Sequence, residues 1–326
     1  MTRLGRPLAA LAVASLAMVL AACGSGGGGG AQASDVVIGF VPGTTSDPFF
    51  KAMQIGAEQE AKKEGVKLLW QGSGAEYSPQ AQLPFVDGVL AQSPSALVLV
   101  PTDPDSLQAS VTKAQAKQIP VLCVDTTVTD QGYLSSFITG DNVAGGKQAA
   151  DTLAGQIGGK GKVFVMLSSP TTTTNVQRLQ GFSDELKAKY PDVQIVGQAY
   201  SKSQPATATS AINTALLSNP DLAGIFAIDG TSGTGAVAAL QNRNLVGKVK
   251  LVGYDAYKTQ VNDLKSGVYT ALIAQQPVEE GRLAVQYAVA KVTGKGADQI
   301  KKDVVIPTVV MTKDNLAETE KNTYAE

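Results

Sequence analysis

From Asp35 onward the chain repeats one pattern twice: a short apolar run rich in β-branched residues, a polar turn, then a stretch with helical spacing of apolar positions. Short apolar runs alternating with longer helical patterns predict βαβ units and a parallel sheet. The first series predicts strands over 36–41, 66–70, 96–100, 121–124 and, more briefly, 135–139, with helices over 48–64, 79–92 and 106–117. The second predicts helices over 143–156, 177–189, 206–217, 235–242, 259–265 and 278–292. Its strands are expected over 163–167, 193–198, 223–228, 249–254, 269–274 and, last, 304–310. The strands read as nearly continuous apolar runs, as they do when helices cover both faces of a parallel sheet. No long Pro-rich linker separates the two series. The expected fold class is therefore α/β, two doubly wound parallel-sheet lobes facing each other. In such sheets ligands bind beyond the carboxyl ends of the strands, so the two sets of ends should border one cleft.

Composition narrows the chemistry. The 326 residues contain no histidine, which removes Ser-His and Cys-His nucleophile pairs, His-ligated metal sites and the usual near-neutral general base. Two cysteines cannot build a multi-sulfur metal site, and a formal charge of -1 lacks the Lys/Arg excess that a nucleic-acid partner requires. Neither a metal nor a cofactor is expected, and binding without catalysis moves ahead of enzymatic readings.

The first residues read as an export signal. Arg3 and Arg6 precede an apolar run over 8–20 of about 13 residues, the length of a signal-peptide core and too short to span a bilayer. The string Leu20-Ala21-Ala22-Cys23 resembles the bacterial lipobox, in which a leader is cut before a lipid-modified cysteine. Residues 1–22 are thus expected to be a lipoprotein signal peptide, and residues 23–34 the lipidated Cys23 with a Gly-rich tether. Losing two arginines would move the net charge to about -3. The expected location is outside the cytoplasm, anchored to a membrane by lipid. Cys123 lies inside an apolar strand and reads as a small buried hydrophobe.

Polar residues at the predicted strand ends carry the functional signal: Asp47 with Phe49 and Phe50, Asp125 with Thr126, Asp229, Asp255 and Gln275, and Arg178 in the helix after the run Thr171–Thr174. Carboxylates accept hydroxyl hydrogen bonds, arginine supplies a planar fork of donors, and aromatic rings pack on C–H faces. A small polyhydroxylated molecule needs that mixture. Each residue also has a plainer reading. The aspartates can cap helices or turns, Arg178 can be a solvated helix charge, and the threonine run reads as a solvated loop. Trp70, at a strand end, fits either core or cleft.

These residues resemble the periplasmic sugar-binding proteins of the ribose/galactose type, which serve ABC importers. The resemblance runs from Asp35 to about Asn315. It rests on Asp47-Pro48-Phe49-Phe50, Pro101-Thr102-Asp103, Ile119-Pro120-Val121 before Asp125, and Gly140-Asp141-Asn142-Val143 with Gly145-Gly146-Lys147. Arg178 with Gly181-Phe182, Val252-Gly253-Tyr254-Asp255 and Ile273-Ala274-Gln275-Gln276-Pro277 complete it. It implies a type I periplasmic-binding-protein fold whose three-segment hinge crosses near Gly140-Asp141, Gln275-Gln276 and Val305-Pro307. The N-terminal lobe would hold 35–140 plus 276–305 and the C-terminal lobe 141–275 plus 306–326. It further implies a monomer that closes on a monosaccharide or polyol and delivers it to the transmembrane subunits of a permease. Asp47, Phe49, Phe50, Asp125, Thr126, Arg178, Asp229, Asp255, Gln275 and Trp70 are the candidate ligand residues. Thr126 stands where the ribose-binding pattern has a second arginine and Asp229 where it has asparagine, while Ser201–Gln204 lacks the expected aromatic, with Tyr200 close by. Ribose is therefore not assigned; another monosaccharide, a polyol or an amino-substituted sugar stays open.

Two other readings compete. A receptor-coupled sensor of a sugar-like signal would use the same cleft. Gly233-Thr234-Gly235-Ala236-Val237-Ala238 matches the G-x-G-x-x-A dinucleotide fingerprint, with Asp255 about 20 residues later, which would suit an exported NAD-dependent oxidoreductase. The motif sits in the second series, however, and 229–232 separate it from the preceding strand.

Overall fold

The apolar runs become strands because helices cover them on both sides: β3 (Ala96–Leu99) and β4 (Val121–Val124) are buried at every position. The computed structural model describes residues 35–74 and 76–325, organised around two six-stranded sheets. The first runs β2 (Lys67–Trp70), β1 (Val37–Val41), β3, β4, β5 (Leu134–Gly140) and β11 (Asp303–Ile306), parallel throughout. The second runs β7 (Val193–Tyr200), β6 (Gly161–Leu167), β8 (Leu222–Ala227), β9 (Lys250–Tyr254), β10 (Ala271–Ala274) and β12 (Val309–Thr312). Here β12 alone is antiparallel, pairing Ala274 with Val309. The first five strands of each sheet share one order, which places the switch points between β1 and β3 and between β6 and β8. The two doubly wound α/β lobes expected from the alternation are present.

Both lobes are tightened by one device. Helices α1 (Pro48–Glu64) and α9 (Pro277–Thr293) flank the first sheet, and α4 (Asn142–Gln156) and α5 (Thr173–Lys189) the second. A Cβ on Gly56 of α1 would sit 1.9 Å from the Val278 carbonyl oxygen, and one on Gly281 of α9 would sit 2.1 Å from that of Met53. In the second lobe Gly146 and Gly181 meet the Arg178 and Val143 carbonyls at 2.1 Å in the same reciprocal way. Only glycine permits backbones this close. The chain passes between sheets three times: at Asp141 from β5 to α4, at Gln275-Gln276 from β10 to α9, and at Pro307-Thr308 from β11 to β12.

Three expectations need correction. The single strand over 304–310 is two strands in different sheets, because Pro307 has no N–H for a ladder and the chain changes lobe there. The helix expected to begin at 235 is α7 (Gly230–Asn242), capped by Asp229. The threonine run is no solvated loop, since Thr173 and Thr174 form the first turn of α5 and Thr172 and Thr174 are buried. Among the described residues no helix is long and apolar enough to cross a membrane. Cys123 is free and fully buried, and burial pushes its thiol up to about 12. Cys23, the signal peptide and the tether lie outside the described residues.

Candidate functional site

The strand ends of both lobes meet around a tight cavity of about 60 Å³. Asp47, Phe49, Phe50 and Asp125 line it from the first lobe, and Arg178, Asp229 and Asp255 from the second, with Gln275 on a crossing segment. Thr126 and Trp70 are not brought in. The Thr126 hydroxyl donates to the Pro101 carbonyl at 2.6 Å and is buried behind the wall. Trp70 packs on Phe40 with ring centroids 4.4 Å apart, half-buried against the core, and its indole nitrogen is buried without a partner among the described residues.

Each aspartate owes its place to a local turn. Asp47 caps α1 by accepting the Phe49 N–H at 2.8 Å, and the same Oδ1 accepts the Tyr257 hydroxyl from the opposite lobe at 2.6 Å. Although part of its surface is open to the cleft, burial lifts its carboxyl to about 7, against the pull of those two hydrogen bonds. Asp229 caps α7, with the Ser232 N–H and hydroxyl both donating to it at 2.8 Å; burial raises it to about 6. Asp125 and Asp255 follow β4 and β9 in left-handed conformations, at φ 61° and 76°. Such strain persists only where surrounding structure enforces it, and it clusters at functional sites. Asp255 accepts from the Gly230 N–H at 2.8 Å, the Gln275 amide at 2.6 Å and the Tyr324 hydroxyl at 3.1 Å. Asp125 is 6% exposed, and burial raises it to about 7 with Arg178 pulling the other way.

Arg178 is held by neutral acceptors. Its Nε donates to Asn142 Oδ1 at 2.8 Å, one terminal nitrogen to the Ile228 carbonyl at 3.0 Å and the other to Gln275 Oε1 at 2.8 Å. Its guanidinium carbon lies 3.7 Å from the centroid of the Tyr254 ring. Burial works against its charge, but Tyr254, Asp255, Asp125 and Asp229 outweigh this and hold it above its ordinary value. Gln275 thus bridges the guanidinium and Asp255 within the crossing itself.

Several lining residues were not singled out from sequence. Tyr77, in the turn before α2 (Pro79–Ala91), lies nearly parallel to Phe50 at 6.2 Å, so an aromatic face comes from the first lobe and not from Ser201–Gln204. Tyr257, Ser168, Asn175, Ser203 and Thr231 also line the cavity. Tyr324 packs its ring edge against Phe49 at 6.0 Å. Glu280, on α9, is fully buried with neither carboxyl oxygen partnered among the described residues, and burial holds it well above its usual range. A larger outer cavity of about 810 Å³ shares Tyr77, Ser168, Thr172 and Ser203 with the inner one and includes Tyr200. Across its rim the Thr171 hydroxyl donates to Asp103 at 2.9 Å, joining the lobes.

The dinucleotide fingerprint dissolves in this geometry. Gly233 and Gly235 lie within α7, where a Cβ would meet the Tyr269 hydroxyl at 2.5 Å and the Ala208 Cβ at 2.5 Å. They admit neighbouring side chains and backbone, and form no phosphate-binding turn. Among the described residues no group of three or more Asp, Glu or Cys is placed to hold a metal ion. The cavity offers hydrogen bonds, charge and aromatic faces.

Residues 38–296 match the model of the periplasmic binding protein domain. The xylitol-binding protein of Mycolicibacterium smegmatis is 30% identical over 262 residues, 80% of this chain and 73% of that protein. The ribose import binding protein of Haemophilus influenzae is 32% identical over 260 residues, 78% of this chain and 85% of that protein. A solute-binding protein of an ABC transporter from Agrobacterium vitis, solved with α-D-tagatopyranose, superposes with a TM-score of 0.85 at 35% identity, covering 89% of this chain and 100% of that one.

Proposed function

The chain belongs to the periplasmic binding protein family, and from that premise we propose that it is the solute-binding subunit of an ABC importer, capturing a monosaccharide or polyol between its lobes. The family is extracytoplasmic, and the relatives compared above are binding proteins. The observation that carries the reading is the cavity itself. Residues at strand carboxyl ends of two lobes converge on one small polar space, which four carboxylates share with one guanidinium. Sugar hydroxyls donate to such carboxylates, Arg178 donates back, and the rings of Phe49 and Phe50 offer apolar faces to C–H groups.

A ligand that touches both lobes binds the closed arrangement better than an open one and so drives closure. A cavity this tight requires the lobes to part for a sugar to pass. The three crossings are the proposed hinge, between a lobe of 35–140 plus 276–306 and one of 141–275 plus 307–326, with Ile306 still paired to β5 of the first sheet. We also propose that the chain works as a monomer, non-catalytically, and is held at the membrane through lipid on Cys23.

A thermal-shift screen of pentoses, hexoses, polyols and NAD tests the reading, since ligand binding raises apparent stability by mass action. A rise with at least one sugar or polyol is expected. A response to NAD with none to any sugar or polyol would refute it. Release from membranes on Cys23→Ser replacement tests the anchor, and continued retention would refute that part.

A further inference from the structure

Within the cavity the charges do not balance. Asp47, Asp125, Asp229 and Asp255 face it alongside one guanidinium. Three of the five Arg178 N–H groups go to the neutral acceptors Asn142, Ile228 and Gln275, and among the described residues no lysine or arginine nitrogen lies within 4.0 Å of any of the four carboxylates. Buried carboxylates without a counter-charge repel one another and are costly in a low-dielectric space.

The unmet demand is local. Asp229 and Asp255 have both oxygens engaged by protein donors. Among the described residues Asp47 has only Oδ1 engaged. The Asp125 carboxylate accepts no hydrogen bond among the described residues, although the residue is 94% buried by area and lines the cavity. A second, independent feature points the same way. Four aromatic side chains, Phe49, Phe50, Tyr77 and Tyr257, also line this space, and aromatic faces attract cations as well as C–H groups.

We propose that the ligand is a polyhydroxylated molecule carrying one ammonium group, an amino-deoxy sugar or amino polyol, with the ammonium seated against Asp125 and the free oxygen of Asp47. Its hydroxyls face Arg178 and the second lobe. The inference rests on the cleft being the sugar or polyol site, and it selects within that class. Neutral ligands would supply donors without the compensating charge, and sugar acids would add a further anion to an acidic cavity.

Titration calorimetry of the intact protein at pH 7 with matched pairs decides it: glucosamine against glucose, galactosamine against galactose, glucamine against glucitol, with glucuronate as the anionic control. In at least one pair the amine should bind about tenfold tighter or more, a difference that added salt reduces. Asp125→Asn should collapse that difference; asparagine tolerates the left-handed backbone there. Asp47→Asn is the second variant and should reduce it. Equal or tighter binding of the neutral member in every pair that binds overturns the ammonium while leaving the sugar-binding reading intact. An amine preference that survives Asp125→Asn overturns the assigned seat. Failure of every probe, alongside a folded protein, overturns the ammonium, and the thermal-shift screen decides the sugar-binding reading separately.

Discussion

Tyr257→Phe isolates one hydrogen bond between the lobes. The ring stays, but the hydroxyl that donates to Asp47 Oδ1 at 2.6 Å is deleted, leaving that oxygen with the Phe49 N–H alone. A hydrogen bond to a charged group contributes about 1.5–3 kcal/mol. This one joins different lobes, so it can exist only when they are together and its loss falls on the closed arrangement. At about 1.4 kcal/mol per decade, the closed-to-open ratio of the ligand-free protein should drop by about 10- to 150-fold. Kd for the ligand rises by the same factor when the free protein is mainly open. Calorimetry gives Kd, and small-angle scattering of the free protein gives the fraction closed. Thr171→Ala is the matched control. It deletes an interlobe hydrogen bond to Asp103 at an exposed rim, where solvent competes, and should cost about fivefold at most. A folded Tyr257→Phe protein with unchanged Kd, or a larger loss from Thr171→Ala, would refute the reasoning.

Three further outcomes are expected. Because burial raises Asp47 and Asp125 to about 7 and Asp229 to about 6, the folded chain holds protons that the unfolded chain releases near pH 4. Ligand-free stability should therefore fall as pH rises from about 4 to 7 and then level off, as far as these groups act. Asp125→Asn, removing a group that faces Arg178, Asp255, Asp47, Tyr77 and Glu280, should flatten that slope in melting curves taken across the range. Gly181→Ala drives a Cβ to 2.1 Å from the Val143 carbonyl oxygen and should destabilise the protein by about 1–3 kcal/mol in denaturant titrations, weakening binding because Arg178 shares that helix. Trp70→Phe should lower the melting temperature yet leave Kd within about twofold, since the indole packs on Phe40 away from the cavity.

Asp125, Asp229 and Asp255 were legible because each directly follows a continuous apolar run, where the first polar side chain marks the carboxyl end of a strand, and Asp47 was legible as the residue before Pro48 at a helix start. Arg178 and Gln275 were legible through the family pattern around them. Tyr257 was not, because its partner Asp47 is 210 positions away, a pairing no local signal encodes. Tyr324 lies beyond the stretch that carried the resemblance, and its role exists only through contacts with Phe49, Asp255 and Gln275. The first turn of α7 was hidden because Gly230, Gly233 and Gly235 are poor helix formers, a preference that tertiary packing and the Asp229 cap override. Pro307 was the available warning that 304–310 could not remain one central strand, but the valines on either side hid it.

The seam between α1 and α9 also sets an order of assembly. In the second lobe α4 precedes every strand of its sheet, so the helix that meets α5 is present from the start. In the first lobe α9 comes after all five contiguous strands and after the whole of residues 141–275. At about 5–20 residues per second, a ribosome needs roughly 7 to 27 seconds to make that stretch. Through that interval the faces of β3, β4 and β5 that α9 covers, and the flank of α1 at Gly56, lack the helix that packs on them in the folded protein. The half of the molecule synthesised first thus waits for most of the other before its sheet is covered, and that bare face is the surface a chaperone would have to guard.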